Sequence, residues 1–397
     1  MTRFAHLIES DGPGGAERML ASVATASQAA GHDTLLIAPA AGEGWLATQL
    51  HGTGVHVELF QLDRPFSPAF AGWLTETLRR HQIDIAHSHE FTMAVYGAWA
   101  ARRAGIPHLI TMHGSRYYAG RLQRRIAMRV AARISDAIVG VSHTLSAHLE
   151  RDLWLKPGRV VTIPNGVRPP SRDRPSTLRR ELGLTPDDRL IVAVGNLYPV
   201  KGHSFLLTAL SLLGSRFPNL HIAIAGRGEL EPALRHRAQE LRLDHRLHLL
   251  GLRADVGNIL AGADVFVLPS LSEGVPLALL EAMLAGRPVI ARGVGDVPQV
   301  LENGGAGILV PPADAVALAT ALAELLAHPD RMHALGVAAC ERATAAYTFD
   351  VMMDAYQRLY SQALGDHPHD AGAERVRERE RQPLPHPRPP RKRTLLW

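Results

Sequence analysis

The sequence has a single cysteine, Cys340, so no disulfide can close within the chain. Every apolar run is broken by charge, proline or glycine well short of the roughly 20 residues that cross a bilayer, which argues against a transmembrane helix. The opening residues MTRFAHLIESDGPGG hold no apolar segment of signal-peptide length, and a reducing, cytoplasmic location is expected, at most at the inner face of the plasma membrane. Aromatic residues make up only 5%, and no RNA-binding aromatic motif, zinc spacing or recognition helix accompanies the net charge of +5, so nucleic acid is not expected as a partner. Lysine is scarce beside arginine, three of 43 basic residues, which makes the positive surface a guanidinium surface suited to phosphates and anionic lipid.

What is present is a chain of 397 residues, 46% hydrophobic and 20% charged, too long for one core and long enough for two. Strand-length apolar runs alternate with helical patterns, which predicts parallel sheets covered by helices. The expected strands are Arg3–Ile8, Thr34–Ala38, Ile83–His87, His108–Met112, Ala137–Val141 and Val160–Ile163, then Leu190–Val194, His221–Ala225, Leu247–Leu249, Val265–Pro269, Pro288–Ala291 and Gly307–Val310. Between the two sets, prolines and charges mark a linker at 169–177, separating a first domain at 1–168 from a second at 178–346. Residues 347–364 read as a helix, and from 365 to 397 a basic, proline-rich tail lacks the apolar content to fold alone.

Three glycine turns fall at strand ends. DGPGGAERML at 11–20 opens a helix whose first N–H groups suit an anion, and Gly14 and Gly15 let a ligand approach the backbone. A dinucleotide fingerprint would need glycine where Glu17 stands, so a dehydrogenase is disfavoured, while a purely structural turn stays open. VAVGNLYPVKGHSFLL at 192–207 repeats the grammar with Gly195, Gly202 and the compact cation Lys201, and IAGRGEL at 224–230 repeats it again. Three such turns at the carboxyl ends of parallel strands favour nucleotide binding over chance geometry.

SEGVPLALLEAMLAGRP at 272–288 adds a loop and a helix start, with Pro276 in the first turn. Glu281 falls beside Leu277, Leu280 and Leu284 on the helical wheel, where a bare carboxylate is costly. Either it points to solvent at the sheet edge or hydroxyl groups of a ligand hydrogen-bond it, as the vicinal pair of a ribose would. His113 ends a strand at the cleft edge. His87 and His89 form an H-x-H pair with no third ligand at suitable spacing, and no metal is expected there.

With VGNLYPVKG, IAGRGEL, SEGVPLALLEAM and IPNGV together, the chain resembles glycosyltransferase family 4, retaining enzymes of the GT-B fold. The resemblance implies two Rossmann-like domains facing across a cleft, with the C-terminal helix crossing back to the first. It further implies transfer of a sugar from a UDP-sugar or GDP-mannose type donor to a hydroxyl of a glycan or lipid-linked acceptor, in polysaccharide or glycolipid synthesis, without a metal or other cofactor. His113 would face the anomeric centre, Glu273 the transferring sugar, and Gly274, Val275, Pro276 and Leu277 the β-phosphate. Lys201 with Gly202 would hold the diphosphate, Glu281 the ribose, and Arg227, Leu252 and Arg253 the base. Asn196 stands where the family often has arginine, which shifts leaving-group stabilisation toward Lys201, with Arg18 or Arg116 assisting. No Asp-x-Asp strand end and no convincing carboxylate nucleophile is visible, which favours a same-face substitution. The alternatives are a binding-only partner subunit of the same fold and a sugar-nucleotide epimerase.

On the acceptor side, Arg121, Arg125, Arg129 and Arg133 form an i,i+4 row beside Leu122, Ile126, Val130 and Ile134. Such a helix can lie on anionic lipid or simply be the solvated face of a core helix.

Overall fold

The computed structural model describes residues 1–42, 44–62, 66–114, 120–170 and 175–365. Part of the expected linker, Arg116 and the tail after 365 lie outside them.

Runs rich in Val, Ile, Leu and Ala that are buried on both faces make parallel strands, and helices between them cover the faces. β1 (Arg3–Leu7), β2 (Asp33–Pro39), β3 (His56–Phe60), β4 (Ile85–His89), β5 (His108–Met112), β6 (Ala137–Gly140) and β7 (Val160–Thr162) form one sheet in the order β3-β2-β1-β4-β5-β6-β7. β8 (Arg189–Val194), β9 (Leu220–Ala225), β10 (Leu247–Gly251), β11 (Val265–Leu268), β12 (Val289–Arg292) and β13 (Ile308–Val310) form the second, in the order β10-β9-β8-β11-β12-β13. Every pairing is parallel. This is the two-domain GT-B arrangement.

Two differences from the sequence reading have simple causes. β3 was not among the expected strands: it is an edge strand, and His56 and Glu58 break the apolar run that would have marked it. β4 starts two residues later than expected, at Ile85, because Asp84 is used before the strand, its carboxylate accepting from the Arg3 N–H at 2.8 Å.

The helix Phe349–Gly365 follows the second domain but packs on the first sheet. Phe349, Met352, Met353, Tyr356 and Tyr360 share a core with Phe4, Met19, Ile85, Leu109 and Val139. The chain therefore crosses between the sheets twice, and the crossings bond to each other. The Val167 N–H donates to the Tyr347 carbonyl at 3.0 Å, and the Phe349 N–H to the Val167 carbonyl at 2.9 Å. Gly166 sits so close to the Thr348 carbonyl that a side chain there would collide with it.

A third tie is electrostatic. Asp296, buried in the loop after β12, accepts from the backbone N–H of His143 at 2.5 Å and of Thr144 at 2.9 Å. Those are the first two residues of the first-domain helix His143–Asp152, so the carboxylate meets the positive end of a helix dipole across the domain boundary. Asp296→Ala removes the acceptor of two partly exposed N–H groups at the helix start and is expected to cost about 0.5–2 kcal/mol. Urea denaturation together with small-angle scattering checks this. Unchanged stability and an unchanged radius of gyration would remove Asp296 as a clasp.

Candidate functional site

In each sheet the strand order reverses once, between β1 and β4 and between β8 and β11, and connections leaving such a point diverge to open a crevice. The two crevices face each other and enclose a cleft of about 380 Å³. Gly14, Gly15, Arg18 and His113 line it from the first domain. Asn196, Lys201, Leu252, Arg253, Glu273, Gly274, Val275, Pro276, Leu277 and Glu281 line it from the second. Of the residues singled out in the sequence, Gly202 and Arg227 are not in the lining. Gly202 holds a left-handed turn (φ +66°) packed against the Pro269 carbonyl, where a Cβ would collide, so it shapes the turn that presents Lys201. Arg227 is exposed between Gly226 and Gly228, both of which pack on the Gly195–Leu197 turn, and its carbonyl accepts from the Leu197 N–H at 2.9 Å.

The helix Leu277–Leu284 begins at the cleft. Pro276 is its N-cap, one residue earlier than the first-turn position expected, and the leading amides have no partner within the helix. Lys201 Nζ lies 2.7 Å from Glu273 Oε1 in a largely buried pair. The expected diphosphate cation is thus already matched by a carboxylate. Glu281, one face of the helix round, is half-buried with Leu277 and Ala278, and burial pushes its carboxyl above the ordinary range while the charge of Arg18 pulls it back. Its carboxylate has no hydrogen bond among the described residues, and neither does the guanidinium of Arg18. Arg253 is differently placed: Asp255 at 2.6 Å and Glu181 at 3.0 Å hold its guanidinium and raise its pKa.

Across the cleft, His113 also borders a second cavity of about 750 Å³ in the first domain. Its walls include Phe60, Leu62 and Met93, and three carboxylates, Glu9, Glu17 and Glu90. Burial, reinforced by the charge of Glu9, pushes the Glu90 carboxyl up to about 8, and the His113 backbone N–H hydrogen-bonds it. Glu90 has φ +64°, a conformation that costs a non-glycine residue energy and that recurs at functional positions. Ser10 Oγ donates to Glu17 at 2.6 Å, and Glu9 accepts from the Thr92 N–H. Sequence reasoning missed Glu9, Glu90 and Asn165, whose amide donates to the Val275 carbonyl across the cleft at 3.3 Å. The carboxyl-end position of Glu90, directly after the H-x-H pair, was the available signal.

The histidine pair does acquire a third neighbour. The β1–β4 register sets His6 opposite His87, and ligand atoms of His6, His87 and His89 lie within 4.8 Å of one another. The spacing along the chain could not reveal it. However, both nitrogens of His87 are already hydrogen-bonded, to Tyr360 Oη and Thr111 Oγ1 at 2.8 Å each, and 4.8 Å is wide for two ligands of one ion.

Residues 13–169 match the family described as Glycosyltransferase Family 4, and residues 188–328 match Glycosyl transferases group 1, together about three quarters of the chain. A UDP-Gal:alpha-D-GlcNAc-diphosphoundecaprenol alpha-1,3-galactosyltransferase of Escherichia coli is 31% identical over 60% of this chain and 65% of its own length. A phosphatidyl-myo-inositol mannosyltransferase of Mycobacterium leprae is 29% identical over 88% of this chain and 93% of its own. Among solved structures, a glycosyltransferase from Rickettsia africae superposes with a TM-score of 0.82 at 20% identity, covering 91% of this chain and 98% of that one. HepE of Anabaena in complex with UDP-glucose does so at 0.78 and 23% identity, covering 91% and 100%.

Glu281 carries a pH signature. Its folded pKa lies above its unfolded one, so protonation stabilises the fold, and that contribution is lost as pH rises through the folded value. Glu281→Gln is therefore expected to raise the melting temperature of the ligand-free protein at pH 7–8, with the gain vanishing toward about pH 4. Calorimetric melts across that range test it, and a destabilised variant at pH 8 would contradict the assignment.

Proposed function

The chain belongs to glycosyltransferase family 4, the group 1 glycosyl transferases, and from that premise we propose that it moves a sugar, with retention of anomeric configuration, from a nucleoside-diphosphate sugar to a hydroxyl of a glycan or lipid-linked acceptor. The observation that carries the reading is the cleft itself: an uncommitted guanidinium, a lysine–glutamate pair, a helix start and a free carboxylate converge between two sheet edges. A diphosphate suits the unpartnered amides of the helix start and Arg18, while the vicinal hydroxyls of a ribose suit Glu281, which accepts only. The names of relatives agree in kind, one using UDP-Gal on a diphosphoundecaprenol-linked sugar, and HepE holds UDP-glucose.

In the proposed reaction the bond from C1 of the sugar to the β-phosphate oxygen breaks, and the electron pair leaves on the diphosphate. The acceptor hydroxyl oxygen bonds to C1 on the same face, and its proton passes to the departing phosphate oxygen. Arg18, the helix amides and Lys201 stabilise the charge that develops there, an electrostatic contribution that needs no protein nucleophile. The first-domain cavity takes the acceptor, whose hydroxyl groups hydrogen-bond its carboxyl groups, Glu90 being protonated and able to donate near neutral pH.

The membrane side of the reading rests on a surface patch. Leu122, Ile126 and Val130 are exposed on the helix Leu122–Ile134, and Trp99 and Trp154 are exposed on neighbouring elements. Arg103 covers Trp99, and Arg125 and Arg129 lie over Trp154 at 4.3 and 5.4 Å. Arg125 also donates to the Asp152 carbonyl at 2.8 Å, so the arginine row is partly structural. Apolar, aromatic and cationic groups exposed on this helix and its neighbours suit an anionic lipid interface, near a lipid-linked acceptor.

Titration with a panel of nucleotide sugars, followed by donor hydrolysis without acceptor, tests the core reading. Binding of at least one donor, weakened tenfold or more in Glu281→Gln, with turnover reduced roughly 10²-fold or more in Lys201→Ala, is expected. Binding without turnover would favour the partner-subunit alternative, and no binding would reject both. Sedimentation with vesicles of anionic and zwitterionic lipid tests the patch: Ile126→Glu with Val130→Glu should abolish binding to the anionic vesicles, and equal binding by both proteins would refute it.

A further inference from the structure

The chemistry that His113 offers depends on which ring nitrogen carries its proton. Burial holds its pKa down to about 4, so near neutral pH the ring has one N–H and one lone pair. His113 Nε2 lies 3.1 Å from Nδ1 of His89, the last residue of β4, and the two rings are stacked at 21°. One of these nitrogens donates and the other accepts.

The surroundings of His89 decide the direction. If His113 Nε2 donated, neutral His89 would have to carry its own proton on Nε2. That nitrogen is buried and has no hydrogen-bond partner among the described residues. A buried orphan N–H is the costlier defect, whereas an orphan lone pair is the milder one. The other rings near His89 are His6 and His87, with centroids at 6.0 and 4.3 Å. His87 cannot turn to serve it, being held at both nitrogens by Tyr360 and Thr111, and neither nitrogen of His6 makes a hydrogen bond to it. No carboxylate is among the groups acting on His89, and burial with its histidine neighbours keeps it uncharged.

We infer that His89 is a positioning residue for sugar transfer: its Nδ1–H donates to His113 Nε2 and locks His113 in the Nδ1–H tautomer, so that His113 meets the substrate as a hydrogen-bond donor. The inference rests on the reading of His113 as the residue facing the transferred sugar. Two consequences follow. His113 is not the base that takes the acceptor proton, because its only lone pair is committed to His89. Its Nδ1–H instead serves an oxygen lone pair at the junction of the two cavities that it borders.

The tautomer can be read without turnover. In protein labelled with 15N-histidine, long-range proton–nitrogen spectra separate protonated from bare ring nitrogens, and the His113 signals are assigned by their loss in His113→Gln. The expected spectrum has His113 protonated on Nδ1 and His89 on Nδ1. In His89→Leu the His113 signals should shift to the other tautomer or to exchange between the two, and kcat should fall about tenfold with donor KM changed less than about twofold. His89→Asn, which can place an amide N–H near the old Nδ1, should restore the Nδ1–H tautomer and most of kcat. An Nε2–H His113 in the unaltered protein, or a His89→Leu protein with unchanged tautomer and kcat, would overturn the inference. If His89→Leu does not fold, the spectrum of the unaltered protein decides alone. Absence of any sugar transfer would sink the transferase reading while leaving the tautomer legible, so the two failures are separable.

Discussion

Everything at the cleft depends on two chain crossings that bond to each other. Parallel strands deliver their carboxyl ends, and the loops that carry chemistry, to one edge of a sheet. That edge becomes half of a site only if a second edge is held opposite it. Here the outgoing chain at Val167 and the returning chain at Tyr347–Phe349 share two backbone hydrogen bonds, at a point where Gly166 permits contact. The returning helix then sinks Phe349, Met352, Tyr356 and Tyr360 into the first sheet, which anchors the second domain to the first by burial of apolar surface. Near the cleft, Asp296 ties the loop after β12 to a first-domain helix start. The backbone pair at the crossings and the carboxylate–dipole contact of Asp296 thus hold the two domains at separate points.

Charge inside the cleft is arranged in opposed pairs. Lys201 cancels Glu273 at 2.7 Å, and Arg18 faces Glu281 without closing on it. The ligand-free site is therefore close to neutral although the protein is basic. A dianionic ligand changes that balance where Arg18 and the helix Leu277–Leu284 present it with donors, while Glu281 stays available for hydroxyl groups. Burial raises the pKa of the Glu281 carboxyl, so keeping it ionised there costs the fold stability. A half-buried carboxylate with no hydrogen-bond partner among the described residues is the feature on which the proposed contact with ligand hydroxyl groups rests.

The second domain was largely legible in the sequence, and the first less so, for a physical reason. In the second domain the informative features are local: a strand, a glycine turn and a helix start within a few residues, as at 192–207 and 265–284. Glu281 could be singled out because its conflict with Leu277, Leu280 and Leu284 is a matter of helical periodicity alone. Asp296 could not, because its partners are more than 150 positions away. His6 was invisible beside His87 and His89 because β-sheet register, not spacing, brings it there. Glu9 and Glu90 were ordinary exposed-type residues until the sheet edge gathered them around one cavity. β3 was lost because edge strands tolerate the polar residues that central strands exclude.

The same polar layer links the hinge to the site. Tyr360 and Tyr356 on the returning helix bond His87 Nδ1 and Thr111 Oγ1, Thr111 bonds His87 Nε2, and the His87 ring lies tilted against His89, which bonds His113. An apolar layer would have packed this interface at less desolvation cost, since buried polar groups add little net stability. What hydrogen bonds add is direction: they fix ring orientation, which hydrocarbon contacts leave free. A histidine at the cleft edge needs its ring plane and its proton set more than it needs more burial. The helix that returns to the first domain thus does two jobs with one face, its phenyl and thioether groups holding the domains together and its phenols orienting the histidines beside the cleft.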